Sequence, residues 1–314
     1  MIRSAALLPY QVQYPFYYHR FKPSAQHKKY SLNAQQIYNN KRSTGISGYV
    51  RIYNEEDFLA AAVESHLPFF DELILVHDST CSDKSPQIAQ ALADKYPDKI
   101  KYFIYAPEAF KLRTKAYKIL PTNHPNSFVN YYNFALSKTT KNIVAKVDAD
   151  HIAIKSQFEK IILNVKNTSF MQDKYYTFSG INLWQHQGEI LVNPINIPGL
   201  GDHGFHPMMR EKKYYQKGIK TETFPALLKY KRQQAGILYF HLKNMRQAIE
   251  YHSYRGLKDS IHQQRFKKRR QNVEKNWVNW DDFLKKYRQN WLQRTNTDIA
   301  TLPNPNDYLA DYLP

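Results

Sequence analysis

Asp148 and Asp150 stand two residues apart, directly after the apolar run Asn142-Ile143-Val144-Ala145-Lys146-Val147. Two carboxylates placed where a strand gives out can together hold a hard divalent ion. Mn²⁺ or Mg²⁺ would fit, since such ions prefer oxygen ligands and bridge readily to diphosphate oxygens. An Asp-x-Asp string by itself is a frequent coincidence and reads equally well as a solvated acidic turn. What favours metal chemistry is its position, after the fourth strand of an alternating strand–helix series. Asp78 closes an earlier run, Glu72-Leu73-Ile74-Leu75-Val76-His77, so a second acid also sits at a strand end. Gly199-Leu200-Gly201-Asp202-His203-Gly204 matches G-x-G-x-x-G letter for letter, but Pro198 precedes it and Pro207 follows. A dinucleotide fingerprint must follow a strand and open a helix, so this match is rejected.

The elements that must position these residues follow from hydrophobic period. Strands are expected at Ile46 to Ile52, Glu72 to Asp78, Ile100 to Tyr105 and Asn142 to Asp148. Helices are expected from about Phe58 to Val63, Lys84 to Tyr96 and Asn126 to Ser137, with Asn54-Glu55-Glu56-Asp57 supplying caps and acids to the first. Alternation with short connections predicts an α/β fold with a doubly wound, mostly parallel sheet. Ligands bind such sheets beyond the carboxyl ends of the strands, where Asp78 and Asp148 fall. From about residue 175 the pattern is mixed: a hairpin of Tyr175 to Trp184 with Glu189 to Asn193, a long Pro/Gly-rich loop from Pro194, and a strand at Gly236 to His241. A helical region spans 265–294, with Val273, Trp277, Trp280, Leu284, Tyr287 and Trp291 on one stripe. The expected organisation is an extended arm over 1–44, a catalytic domain over 45–250 and a basic, aromatic helical extension over 251–314. The catalytic domain divides into a nucleotide-binding half, 45–155, and an acceptor-binding half, 156–250.

Composition narrows the classes. Hydrophobic residues make up 42 % of 314, which argues against global disorder. Cys81 is the single cysteine, excluding an intramolecular disulfide framework or a cysteine-rich zinc site. No signal-peptide core and no membrane-spanning run are evident, so a cytoplasmic setting is expected. A formal charge of +18 points to phosphate-bearing substrates, an anionic membrane face or nucleic acid. Arg265-Phe266-Lys267-Lys268-Arg269-Arg270, leading into the Trp/Tyr stripe, reads either as peripheral contact with an anionic membrane or as a helix packed on its own domain. No named nucleic-acid motif is present, which places nucleic acid last among the partners.

The residues now quoted resemble a known family. Gly48-Tyr49-Val50-Arg51-Ile52-Tyr53-Asn54-Glu55-Glu56, Asp71-Glu72-Leu73-Ile74-Leu75-Val76-His77-Asp78-Ser79-Thr80, Asn130-Tyr131-Tyr132-Asn133-Phe134-Ala135-Leu136 and Lys146-Val147-Asp148-Ala149-Asp150 look like the opening of family-2-type glycosyltransferases of the GT-A fold. The resemblance implies a nucleotide-sugar donor, a UDP-sugar favoured, and transfer with inversion. The acceptor would be a saccharide or a lipid-linked glycan in bacterial capsule or lipopolysaccharide synthesis. By position, Tyr53 and Asp78 would flank the nucleoside base, with Asn133 and Asp148 near base or ribose. Asp150, steadied by Asp148 and joined by the late histidine His241, would bind the metal. Arg210 or Lys243 would further stabilise the diphosphate. Inverting transfer needs a carboxylate to take the acceptor's proton. The family's usual Glu-Asp pair is missing here, leaving Asp202, favoured as a Gly-flanked loop acid, and Glu222. His203 and His206 read as acceptor contacts or plain loop residues. A second departure is Ser82-Asp83-Lys84-Ser85, which lacks the glycine usual in that turn. Two other readings stay open: a nucleotidyltransferase on a related fold, and a basic nucleic-acid- or membrane-binding module with a degenerate site.

Overall fold

The computed structural model describes residues 23–33, 36–37, 42–110, 120–167, 174–186, 188–195, 203–208, 231–245 and 276–313. Its first half runs β1 (Ser43–Ile52), α1 (Leu59–His66), β2 (Glu72–Asp78), α2 (Ser85–Lys95), β3 (Ile100–Tyr105), α3 (Phe128–Ser137) and β4 (Lys141–Asp148). Then come β5 (His151–Ala153), α4 (Lys155–Lys166), β6 (Lys174–His186), β7 (Glu189–Val192), β8 (His203–Pro207), β9 (Lys231–Asn244), α5 (Trp280–Thr295) and α6 (Pro305–Ala310). The described strands form one sheet in the order β3-β2-β1-β4-β8-β6-β9-β5, with β7 added on β6. Strands β3, β2, β1 and β4 are parallel. Strand β8 runs against both β4 and β6, β9 is parallel to β6, and β5 is antiparallel to β9.

Side-chain alternation explains why helices cover both faces. Val50, Ile52, Leu73 and Leu75 pack with Leu59 and Val63 of α1, Leu92 of α2 and Phe158 of α4. Their neighbours Tyr49, Ile74 and Val76 point the other way, into Tyr131, Tyr132 and Leu136 of α3. Every residue of β2 is buried, as an apolar run covered on both sides requires. Its first residue, the acid Glu72, is satisfied by Ser47, Thr140 and Lys101.

Three sequence expectations need correction. Asn54 to Asp57 do not cap α1, whose N-cap is Phe58 with no side-chain bond. Asn54 instead adopts φ +53° and exchanges hydrogen bonds with Ser82, while the backbone N–H groups of Glu55 and Glu56 donate to Ser85 and Asp83. These side-chain bonds hold the turn after β2, doing the work of the absent glycine. The long loop after Pro194 contains strand β8, short enough to hide among glycines and prolines. The helix expected over 265–294 begins, among the described residues, at Trp280, so Trp277 precedes it and meets Trp184 at 5.7 Å. Of the two readings of the stripe, packing on its own domain is the one seen: Trp280 and Trp291 are 5 and 0 % exposed, with Ile181, Leu183, Phe240 and Leu242, and Trp277 is 9 % exposed. Those indoles are thus unavailable to a membrane; Val273 and the basic run 265–270 lie outside the described residues.

Candidate metal and donor site

Asp148 is the last residue of β4, level with Arg51 on β1. The chain then steps through Ala149 and Asp150 into β5, whose pairing with β9 sets His151 directly opposite His241. The N–H of Leu242 donates to the carbonyl of Asp150 at 2.8 Å, fixing that step against β9. His203 opens β8 and reaches the same place from the other side, paired with Phe178 of β6. Four elements therefore bring two acids and three histidines together.

The distances are those of a donor cluster. His241 Nε2 lies 3.3 Å from Asp150 Oδ2, and His151 Nε2 lies 4.0 Å from Asp150 Oδ1. On the inner side, His151 Nε2 and His203 Nε2 each lie 3.7 Å from Asp148 Oδ2. His151 is stacked on Tyr239 with ring centroids 3.7 Å apart, and meets His203 and His241 edge-on at 4.9 and 4.6 Å. Asp148–His151–His203 and Asp150–His151–His241 are each compact enough to hold an ion.

Electrostatics sets the protonation. Burial pushes the His151 pKa well below its ordinary value, His241, His203 and Lys146 push the same way, and Asp148 opposes them. At neutral pH the ring is neutral and keeps a lone pair. Its Nε2 is buried with no hydrogen-bond partner among the described residues, an orphan acceptor that a cation would satisfy. Burial pushes the Asp148 carboxyl upward, yet Lys146, with His151, His203 and Arg51, holds it well below the usual carboxylate range. Lys146 Nζ lies 3.0 Å from one Asp148 oxygen and 3.1 Å from the other. The donor set therefore fits a divalent metal.

The other sequence candidates are placed as follows. Asp78 ends β2, 3 % exposed, where burial raises its pKa against hydrogen bonds from Thr80 and Ala109. Arg51, its guanidinium 3.7 Å over the Tyr132 ring, acts electrostatically on both Asp78 and Asp148. Tyr53 follows β1, half-buried. Asn133 is buried on α3, and its Oδ1 has no partner among the described residues. Asp202, Glu222 and Arg210 lie outside the described residues, and Lys243 falls on β9. Sequence reasoning gave no role to His151, although it adjoins the acid pair. His203 reads from the sequence as an acceptor contact or a plain loop residue, whereas it opens strand β8, which no local pattern marks.

The family model for glycosyl transferase family 2 matches residues 49–233. Among solved structures, a mycobacterial protein is 16 % identical with a TM-score of 0.31, over 48 % of this chain and 45 % of its own. Glucosyl-3-phosphoglycerate synthase from Mycobacterium tuberculosis, in complex with Mg²⁺ and uridine diphosphate, is 15 % identical with a TM-score of 0.31, over 47 % of this chain and 48 % of its own. The chain spans about half the length of these structures. No curated protein matches. Among the described residues no helix is long and apolar enough to cross a membrane. The α/β sheet with its parallel half agrees with the GT-A fold that the resemblance implied, and the family match covers more than half of the 314 residues: the chain belongs to glycosyl transferase family 2.

Proposed function

We propose that this chain transfers a sugar, with inversion, from a nucleotide-diphosphate sugar to a saccharide or lipid-linked acceptor, with a UDP-sugar as the favoured donor and Mn²⁺ or Mg²⁺ as the ion. The observation that carries the reading is the Asp150–His241 pair, 3.3 Å apart beyond the carboxyl end of β4, with the neutral His151 beside it. When bound, the ion supplies positive charge at the leaving diphosphate. Asp150, His241 and His151 would hold it. Asp148, ionised and tied to Lys146, keeps a fixed orientation at the donor's edge, and Arg51 adds cationic potential across the β1–β4 pair. Tyr53 and Asp78 would receive the nucleoside, since Tyr53 follows β1 and Asp78 ends β2, and the family resemblance assigns the buried Asn133 of α3 to the same role. Asp202, or Glu222 in its place, would take the proton of the acceptor hydroxyl as that oxygen attacks the anomeric carbon.

A capsule or lipopolysaccharide setting at the inner face of the cytoplasmic membrane is the biological form of this proposal, supported by the +18 charge and the family. Calorimetric titration of UDP, GDP and CMP, each with Mn²⁺ and then with EDTA, tests the reading against Asp150→Ala. One nucleotide is expected to bind only with metal, and to bind at least about tenfold more weakly in the variant. Folded protein that binds no nucleotide under any condition would sink the proposal.

A further inference from the structure

His151 Nε2 is shared by two sets of donors, one around Asp148 and one around Asp150. The outer set, Asp150 and His241, is partly exposed, with side chains 13 and 20 % accessible. The second set, inner by its two buried histidines, joins His151 and His203, with side chains 2 and 5 % accessible, to Asp148 at 32 %. The two 3.7 Å separations from Asp148 Oδ2 are close to the ~3.4 Å between ligand atoms on one tetrahedral ion with bonds of about 2.0–2.1 Å. Two imidazoles and one carboxylate form a set that suits zinc-class d-block ions and offers little to Mg²⁺. The Lys146 ammonium bonds the same carboxylate, as the hydrogen-bonding neighbours of ligating acids commonly do. Its charge opposes any cation there, which biases the position further toward ions that bind nitrogen strongly.

We infer that Asp148, His151 and His203 form a second, inner binding position for a zinc-class ion, exclusive of the outer ion because both positions need the one Nε2 of His151. Zn²⁺ or Co²⁺ at the inner position would remove His151 from the outer set and so expel Mn²⁺. The inner ion is an antagonist of the metal proposed for sugar transfer. The exclusion rests on that outer site, whereas the inner position stands on its own donors.

The test uses the full chain with Mn²⁺ and Zn²⁺ as probes. Mn²⁺ binding is followed by electron paramagnetic resonance, Zn²⁺ binding by calorimetry, and Co²⁺ by its visible absorption. In the wild type, one Zn²⁺ should release one Mn²⁺, and Co²⁺ should show nitrogen ligation. His203→Gln should weaken Zn²⁺ by about tenfold or more and leave Mn²⁺ within about twofold. His241→Gln should do the reverse. His203→Asn serves as the second variant, and thermal melts establish that each is folded. Zn²⁺ affinity unchanged in both folded His203 variants, or Zn²⁺ and Mn²⁺ bound together, would overturn the inference. Failure of Mn²⁺ to bind the wild type counts against the outer site and the proposed function, with the zinc comparison still deciding the inner position.

Discussion

At position 66 a histidine lies on the buried side of α1, 2 % exposed, with its ring edge-on to Phe158. Its Nδ1 donates to the carbonyl of Ala62 at 2.8 Å, so the ring has a structural partner. His151 is equally buried, but its Nε2 points at carboxylates and has no such bond. That contrast separates a core histidine from a ligand histidine, and it is invisible in residue type or burial. Burial lowers the His66 pKa from 6.5 to about 4, with the Ala62 bond opposing. Below pH 6.5 the unfolded chain takes up a proton that the folded chain refuses. The contribution of His66 to stability is therefore whole above pH 6.5 and is lost as pH falls from 6.5 toward 4. At roughly 1.4 kcal/mol per pH unit this amounts to about 3 kcal/mol. His151 has a pKa depressed in the same direction and adds to the slope, so a variant must separate them. His66→Gln is expected to flatten melting temperature against pH between 4 and 6.5 by about one proton's worth. A slope identical to wild type would show that His66 titrates normally in the fold.

Strands β6 and β9 set the geometry that the residues then use. Their parallel register places Gly180 beside Tyr239, and a Cβ at Gly180 would come within 2.1 Å of the Tyr239 ring. The missing side chain lets that ring lie over β6, where it also supports the stacked His151. Gly180→Ala must push Tyr239 away at a cost of about 1–3 kcal/mol, the usual range for overpacking. His151 should lose its support with it, so melting temperature and Mn²⁺ affinity are both expected to fall. A loss of stability with unchanged metal binding would mean that Tyr239 does not position the histidine. The sequence makes β2 and β3 legible to the residue, because strand-length runs rich in β-branched and aromatic residues between turns leave little choice. It also makes Asp148 and Asp150 legible as strand-end acids. Strands β5 and β8 are another matter: three and five residues long, they are made by pairing to β9, β4 and β6. No local period marks them, and they are the strands that deliver His151 and His203. The part of the site set by long-range pairing was thus the part that a local reading could not reach.

The last described helices belong to the same core as the site. Trp291 and Phe283 are fully buried among Ile181, Leu183, Ile237 and Phe240, and Trp291 Nε1 donates to the carbonyl of Pro194 at 3.1 Å. Tyr308 clasps the turn from β5 to α4, donating to the carbonyl of Ala153 at 2.7 Å and accepting from the N–H of Lys155 at 2.9 Å. Gly236 adopts φ +93°, and its missing Cβ leaves room for Thr297 Oγ1, which accepts from the N–H of Ile237. Strands β5 and β9, which carry His151 and His241, therefore have one side closed by residues 276–313. An independent appendage would melt separately and leave the metal site intact when removed. Shared packing predicts otherwise. Trp291→Ala should cost about 3–5 kcal/mol, as truncation of a buried tryptophan does, and should lower one common transition. A chain ending at residue 275 should expose the apolar side of β6, β7 and β9, aggregate, and lose Mn²⁺ binding. Calorimetric melts of both variants with and without Mn²⁺ check this. A soluble, metal-binding truncation with the wild-type melting temperature would mean that the helices only rest on the sheet. A single transition that Mn²⁺ raises in the wild type, and that Trp291→Ala lowers at every Mn²⁺ concentration, would tie the C-terminal core to the metal-bound state itself.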